Sequence, residues 1–206
     1  MRKFNVVVLG AGGVGKSALT GRSRAGCWLR LTSLCAVRYI RDVFIDYYDP
    51  TIEEAYRRDV HLDGQLSTNT LEILDTAGAE QFTSLNEVYI QAGLGFVLVF
   101  SLTQEASLKE VDHLRQQIYG IKGGDTDIPI VVVGTKLDLV NEREVQKGYI
   151  QDLANRWEHP FYETSAKRNW HVSDVFEDLL RQMRKKYPHE TPKKRPKRGK
   201  DSCVVM

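Results

Sequence analysis

The chain has 206 residues, of which 42% are apolar, so it can form one domain of ordinary size with a real core and a short extension. This composition excludes a fully disordered chain. Three cysteines without framework spacing (Cys27, Cys35 and Cys203) exclude a disulfide scaffold and indicate a reducing compartment. The net charge of +2 hides an asymmetry, because residues 184–206 carry +7 and residues 1–183 carry −5. No run reaches the roughly 18 apolar residues of a membrane span, and the N-terminal apolar stretch is too short for a secretory signal.

Short apolar runs alternate with helical patterns along the chain. The predicted strands are residues 4–9, 54–62, 70–75, 96–102, 128–133 and 161–164, with a hairpin signal at Asp63-Gly64 between the second and the third. Helical apolar spacing is clear over residues 107–121 and 172–187. This alternation predicts an α/β fold with right-handed crossovers: a mostly parallel six-stranded sheet with one antiparallel edge strand and helices on both faces.

Beyond residue 187 the periodic pattern stops. Pro188, Pro192 and Pro196 interrupt a basic segment that cannot bury enough apolar surface to order itself. We therefore expect a folded domain over residues 1–187 and a disordered polybasic tail over residues 188–206. The five histidines are scattered without metal-ligand spacing, which predicts surface or loop positions for them.

A phosphate-binding loop follows the first predicted strand and opens a helical pattern. Residues 10–17 read GAGGVGKS and fit G-x-x-x-x-G-K-[ST], the motif of P-loop NTPases. Its glycines let backbone N–H groups converge on phosphate oxygens, Lys16 supplies a full charge, and the Ser17 hydroxyl can ligate Mg²⁺. The predicted phosphate-side residues are Gly10, Ala11, Gly12, Gly13, Val14, Gly15, Lys16, Ser17 and Ala18. The loop alone does not choose between ATP and GTP.

A candidate base-reading motif, Thr135-Lys136-Leu137-Asp138, directly follows the fifth predicted strand. Ligands of open α/β sheets sit beyond the carboxyl ends of the strands, so residues 10–17, 75–78, 135–138 and 165–167 can share one site. The Asp138 carboxylate can accept two parallel hydrogen bonds from guanine, which adenine cannot offer. Taken alone, Asp138 could instead simply cap the next turn.

The order of these motifs resembles that of the Ras-like small GTPases, over about residues 3–20 and 37–187 and again at the last four residues. The shared motifs are GAGGVGKS at 10–17, DPTIEE at 49–54, DTAG at 75–78, TKLD at 135–138 and ETSAK at 163–167. Within the family, ILDTAG at 73–78 followed by Gln81-Phe82 is most similar to the Rap branch and the fungal bud-site-selection GTPase, which implies a role in cell polarity.

The resemblance implies a GTP/GDP site in which Phe44 packs on the guanine and Asp138 reads it. Ala166 and Lys167 would close the pocket. Further nucleotide contacts are implied for Tyr48, Thr135, Lys136 and Ser165.

The resemblance also implies a γ-phosphate sensor and a Mg²⁺ site. Thr51 and Ser17 would ligate the ion, and Asp75 would hold it through water. The Gly78 amide would contact the γ-phosphate. Loss of the γ-phosphate would then release residues 45–55 and 76–90. The catalytic assignment covers Lys16, Thr51, Gly78 and Ala79.

An effector segment is implied at Tyr48, Asp49, Pro50, Thr51, Ile52, Glu53 and Glu54. Glu53 and Glu54 would pair with basic residues of an effector, although both can equally be ordinary solvated charges. The other implied partners are a guanine-nucleotide exchange factor and a GTPase-activating protein.

The chain departs from the family at Ala79, where most Ras-like proteins carry the glutamine that orients the attacking water. A methyl group cannot do this, which predicts very slow GTP hydrolysis unless an activating protein supplies the missing polar group.

Residues 21–36 are a second departure, a 16-residue insert that the family lacks. As continuous helix they would add about 24 Å and rotate the downstream residues by roughly 160°, so they must loop out if the site is to assemble. Their 48 nucleotides also permit an intron that begins with GT and ends with AG. A retained intron and a real insertion both remain open.

The chain ends Cys203-Val204-Val205-Met206, a C-a-a-X box whose terminal Met favours farnesyl on Cys203. The basic residues before it would supply the second membrane signal. A terminal cysteine of no consequence and a nuclear-import or nucleic-acid patch are the alternatives, and the absence of aromatic residues among the charges argues against single-strand binding.

These features together predict a GTP/GDP switch on the cytoplasmic face of the plasma membrane. Farnesyl and contacts with anionic lipid would attach it there, and no nucleic-acid partner is expected. One alternative is a P-loop ATPase or phosphotransferase. The other is a nucleotide-free interaction protein, if the insert disrupts the site.

Overall fold

The structure is a computed structural model that describes residues 2–16, 39, 53–60, 69–76 and 83–188. Its strands are β1 (Arg2–Gly10), β2 (Glu53–Val60), β3 (Asn69–Thr76), β4 (Gly95–Ser101), β5 (Ile130–Thr135) and β6 (Phe161–Glu163). Its helices are α1 (Thr83–Ala92), α2 (Glu105–Ile121), α3 (Lys147–Trp157) and α4 (Val172–Lys186), with a 3-10 turn at Val140–Glu142.

The six strands form one sheet in the order β2-β3-β1-β4-β5-β6. Every pairing is parallel except that of edge strand β2 with β3. This confirms the predicted fold class. The predicted strand and helix boundaries differ from the observed ones by one or two residues, and α1 and α3 were not predicted as separate helices.

Helices cover both faces of the sheet because the central strands are apolar on both sides. On one face, Val6, Val97 and Val131 pack in a single cluster with Phe176 and Leu179 of α4. On the other, alternate residues of the same strands pack with α2 and with the buried residues of α3. Burial on both sides is what parallel strands with helical crossovers require.

Tyr39 belongs to the core on the α4 face. Its ring is 3% exposed and stacks on Phe176 with a centroid distance of 4.1 Å and an interplanar angle of 18°. The guanidinium of Arg58 on β2 lies 4.1 Å from the centroid of the same ring. Burial raises the pKa of the Tyr39 hydroxyl to about 12. Tyr39 therefore joins α4 to the edge strand.

His159 has the predicted loop position, together with a contact that the sequence did not show. It lies in the loop between α3 and β6 as expected, but its ring is partly buried and its Nε2 lies 2.6 Å from the Tyr119 hydroxyl of α2. Burial, with a further contribution from the Arg115 cation, lowers the pKa of His159 to about 4. The imidazole is therefore neutral at physiological pH.

No helix within the described ranges is long and apolar enough to cross a membrane.

Candidate functional site

The predicted motifs converge on one edge of the sheet. Parallel strands β1, β3, β5 and β6 end at Gly10, Thr76, Thr135 and Glu163, so the segments that follow them leave the same edge. The described part of this edge contains residues 10–16, 135–138 and 165–167. It is the position at which open α/β sheets bind ligands.

The phosphate loop begins at Gly10, which pairs with Val99 of β4. A Cβ at Gly10 would lie 2.1 Å from the Val99 carbonyl oxygen, so only glycine fits there. Gly13 and Gly15 have φ angles of +71° and +97°, in the region that favours glycine. These positions let the loop turn tightly and direct its backbone inward.

Lys16 is folded back into this loop. Its side chain is 5% exposed, and Nζ donates hydrogen bonds to the carbonyl oxygens of Gly10 at 2.7 Å and Ala11 at 2.6 Å. The full positive charge is thus held inside the loop, where a bound phosphate would meet it. Such a buried ammonium in a glycine-rich cradle fits an anionic phosphate group.

Thr135 connects the phosphate loop with the base-side motif. Its side chain is fully buried, and its hydroxyl lies 2.5 Å from the Val14 carbonyl oxygen and 3.0 Å from that of Phe100 on β4. Val14 is itself buried in the middle of the phosphate loop. One hydroxyl therefore fastens the phosphate loop to the end of β5, where residues 136–138 begin.

Asp138 is oriented by the segment that follows β6. Ser165 Oγ donates to Asp138 Oδ1 at 2.6 Å, and the Arg168 backbone N–H donates to Ser165 Oγ at 3.1 Å. Because a carboxylate has about four acceptor positions, this bond leaves Asp138 able to accept two more from a base. The geometry suits the reading of adjacent N–H groups such as those of guanine.

The backbone between these side chains is also fixed. Lys136 adopts a φ of +63°, uncommon for a residue with a side chain, and the next amide, that of Leu137, donates to the Thr164 carbonyl oxygen at 3.0 Å. Beyond Thr164, Ala166 is 4% exposed and Lys167 is exposed. Non-glycine residues held in this region concentrate at functional sites.

Many predicted site residues lie outside the described residues. These are Ser17, Ala18, Phe44, Tyr48, Asp49, Pro50, Thr51, Ile52, Gly78, Ala79 and Cys203. Of Glu53, Glu54 and Asp75 the structure describes the backbone within β2 and β3. The predicted insert at residues 21–36 and the tail from residue 189 are likewise outside the described chain.

Three participants were not found from the sequence. The Val14 and Phe100 carbonyls and the Arg168 amide act through the backbone, which carries no residue-type signal. The left-handed conformation of Lys136 is similarly invisible in the sequence because lysine rarely adopts it. The motif predicted that Thr135 belongs to the site. It did not predict the contact of Thr135 with Val14, which is 121 residues away in the chain.

The parallel sheet and its glycine-rich loop define a P-loop nucleotide-binding domain. A sequence model of the Ras family matches residues 32–185, about three quarters of the chain. The chain therefore belongs to the Ras family, and the domain is a GTP-binding switch of the small-GTPase class. The match begins at residue 32, so β1 and the phosphate loop at residues 10–16 precede it.

Members of this family are generally GTPases that bind GTP or GDP, typically with Mg²⁺, and work with regulators and effectors. The residues present fit the nucleotide: the Lys16 ammonium lies within the phosphate loop, and Asp138 keeps free acceptor positions at the base side.

Proposed function

We propose that the protein is a membrane-anchored GTP/GDP switch that hydrolyses GTP slowly and signals in cell polarity by binding effectors. The observation that carries the proposal is the hydrogen-bond network at the sheet edge, in which Thr135 ties the phosphate loop to the base-side motif and Ser165 orients Asp138. Membership of the Ras family supports the choice of GTP. In this proposal residues 1–187 form the switch domain and residues 188–206 its tail.

In the proposed pocket, Asp138 accepts hydrogen bonds from the guanine N1–H and exocyclic amine. Phe44 packs on the base, and Ala166 and Lys167 close the pocket around it. The buried position of Ala166 beside the Asp138–Ser165 contact supports this assignment. Adenine lacks this donor pair and would leave the Asp138 carboxylate without these hydrogen bonds. The preference for guanine over adenine therefore comes from the unpaired carboxylate and not from the size of the pocket.

In the proposed switch, Ser17 and Thr51 ligate Mg²⁺, and Asp75 holds it through water. The Gly78 amide contacts the γ-phosphate. Asp75 lies on β3 directly opposite Glu54 of β2, so the two strands bring the two proposed switch segments to the same end of the sheet. Loss of the γ-phosphate would release both segments together.

The proposed effector surface is the start of β2. Within the described sheet β2 has β3 as its one neighbour, and Glu53 and Glu54 form its first two residues. An exposed strand edge flanked by acidic residues suits a partner that presents basic side chains. The similarity of residues 73–78 and 81–82 to the Rap and bud-site-selection branch supports a role in polarity.

Slow hydrolysis is proposed because Ala79 cannot orient a water molecule. An Ala79→Gln variant should hydrolyse bound GTP at least about tenfold faster in single turnover, since one positioned polar group is worth that or more. An Ala79→Ser variant, which adds a hydroxyl too short to take the glutamine's place, serves as the control. Equal rates in the original chain and the glutamine variant would contradict the proposal.

The insert at residues 21–36 is proposed to lie outside the family fold, whether as a retained intron or as a looped-out segment. Tyr39 supports this. Without the insert, Tyr39 follows Leu19 by four helical positions, and its ring is packed against α4, as a core residue of a helix after the phosphate loop would be. Sequencing the mature transcript decides between the two forms: message lacking the 48 nucleotides shows a retained intron, and message that uniformly keeps them shows a real insertion.

Membrane attachment is proposed to need both farnesyl on Cys203 and the basic residues before it. Each basic residue near an anionic leaflet contributes on the order of 1 kcal/mol, whereas one lipid chain anchors only marginally. Six basic residues precede Cys203 in the tail: Lys193, Lys194, Arg195, Lys197, Arg198 and Lys200. Farnesylated protein should sediment with phosphatidylserine vesicles, and the Cys203→Ser variant should not. Equal sedimentation of the two would refute lipidation at Cys203.

The decisive experiment measures Mg²⁺-dependent GDP and GTP affinity for the full chain and for a version lacking residues 21–36, with ATP as competitor. Tight binding by both, without ATP competition, is expected. Binding by the shortened chain alone would place a defect in the insert and favour a nucleotide-free role for the full chain. Efficient competition by ATP would favour a P-loop ATPase or phosphotransferase.

A further inference from the structure

An ion pair between two residues that are not among the predicted nucleotide contacts joins the two base-side segments. Arg143 lies just after the 3-10 turn that follows Asp138, and Glu163 is the last residue of β6. Arg143 Nη1 donates to Glu163 Oε2 at 2.9 Å and Nη2 donates to Oε1 at 2.5 Å. Arg143 Nε donates to the Val145 carbonyl oxygen at 2.7 Å. All three guanidinium nitrogens are therefore engaged.

This pair is shielded from solvent and well formed. The side chains of Arg143 and Glu163 are 16% and 21% exposed, whereas the ion pairs of Arg115, Arg181 and Lys186 each include a side chain at least 44% exposed. The hydrogen bonds from Arg143 to Glu163 raise the pKa of the guanidinium. Two parallel bonds between a guanidinium and a carboxylate fix direction as well as distance.

The strand that this pair contacts is the shortest of the described sheet. β6 has three residues and pairs with β5 at the edge of the sheet. Ser165, which orients Asp138, lies two residues beyond Glu163. Together with the backbone bridge between Ser165 and Trp170, the end of β6 thus contributes to where the Ser165 hydroxyl lies relative to the Asp138 carboxylate.

We propose that Arg143 and Glu163 are positioning residues for guanine recognition: their ion pair holds the end of β6 so that Ser165 keeps Asp138 in the orientation that reads two N–H groups. The inference rests on the proposed function, because it assumes that Asp138 contacts the base. Neither residue touches the nucleotide in this proposal. Their effect should therefore concern base discrimination more than nucleotide binding as a whole.

The test compares release of GDP with release of inosine diphosphate, which keeps the N1–H group of guanine but lacks the exocyclic amine. In the full-length Arg143→Gln and Glu163→Gln variants, GDP should dissociate about tenfold faster, the usual effect of losing a residue that orients a binding group. Inosine diphosphate should be released only about twofold faster, because it makes one bond fewer to Asp138. The preference for GDP should thus fall about fivefold.

Two controls separate positioning from general loosening. The exchanged double variant R143E/E163R should recover most of the preference, and Arg143→Lys, which keeps the charge but loses the two-pronged contact, should be intermediate. Arg181→Gln removes an ion-paired arginine from the exposed surface of α4 and should leave both rates unchanged. Melting temperatures would verify that each variant is folded.

The outcomes distinguish this inference from the proposed function. If the original chain prefers GDP to inosine diphosphate but Arg143→Gln and Glu163→Gln release both nucleotides faster by the same factor, the pair is only structural and the inference fails. If the original chain shows no preference between the two diphosphates, the role of Asp138 fails, and the inference fails with it. A selective loss of GDP preference, restored in R143E/E163R, supports both.

Discussion

Thr135→Val tests whether the phosphate loop and the base-side motif are one unit. Valine has nearly the same shape as threonine, so the change leaves no cavity, but it removes the hydroxyl that lies 2.5 Å from the Val14 carbonyl oxygen and 3.0 Å from that of Phe100. The hydroxyl has one proton and donates one bond at a time, so one carbonyl loses its bond in a fully buried place. The expected loss is about 1–3 kcal/mol in the free energy of unfolding.

Part of this loss should appear in nucleotide binding. Without the Thr135 contact, the Val14 segment is no longer held against β5, and binding must order it. We expect GDP to dissociate about tenfold faster, which corresponds to about 1.4 kcal/mol of the total. Urea unfolding gives the stability, and release of a fluorescent GDP analogue gives the rate.

Thr164→Val is the matched control. Thr164 is also fully buried, but its hydroxyl lies 3.4 Å from the Gly134 carbonyl oxygen, which already accepts the Thr164 backbone N–H at 2.7 Å. The loss of so long a contact should cost less than about 0.5 kcal/mol. If the variants at Thr135 and Thr164 had the same stability and the same GDP release rate, the reasoning about the Val14 contact would be refuted.

Two further predictions concern the pH dependence of stability and the start of the phosphate loop. His159 has a pKa of about 4 in the folded protein against 6.5 for the free side chain, so the unfolded chain binds more protons between these values, and the stabilisation present above pH 6.5 is lost as the pH falls towards 4. Relative to His159→Gln, the original chain should lose about 1–2 kcal/mol of unfolding free energy between pH 7 and pH 5, measured by urea titration. Gly10→Ala places a Cβ 2.1 Å from the Val99 carbonyl oxygen, which forces β1 away from β4 and should cost about 3 kcal/mol or more and abolish GDP binding.

Each of these has a control on the same molecule. His171→Gln, which replaces an exposed histidine, is the control for the first measurement. Gly148→Ala lies in α3 with no atom within 4 Å of the added methyl group, and should stabilise the protein by about 0.5–1 kcal/mol. A stability difference between the original chain and His159→Gln that is independent of pH would refute the first prediction. Unchanged GDP binding in Gly10→Ala would refute the second.

The sheet could be predicted because its central strands are apolar on both faces and bounded by turns. The helices α2 and α4 show clear apolar spacing, and both were found. By contrast, most of α1 lies inside the predicted switch segment at residues 76–90, and α3 buries only Ile150 and Leu153. Short helices with so narrow an apolar stripe owe their stability to tertiary packing, which local spacing does not reveal.

The part of the site that depends on the types of residues in the motifs could be predicted from the sequence. The sequence placed Lys16, Thr135 and Asp138 at one sheet edge because each lies at or after the end of a strand in the same parallel set. It could not show which carbonyl Thr135 meets, since hydrogen bonds over 121 residues depend on how the strands stack in register. Burial of His159 was missed for the same reason: its partner Tyr119 is 40 residues away on α2.

The described hydrogen bonds link the phosphate loop and the base-side motif of the proposed pocket to neighbouring strand ends. The chain of hydrogen bonds runs from Val14 through Thr135 to the end of β5, and from Asp138 through Ser165 to the segment after β6. A nucleotide that touches Lys16 at one end and Asp138 at the other would close this chain into a ring. We therefore expect each end to be held more firmly when the other is occupied, because hydrogen-bonded groups in one network strengthen one another.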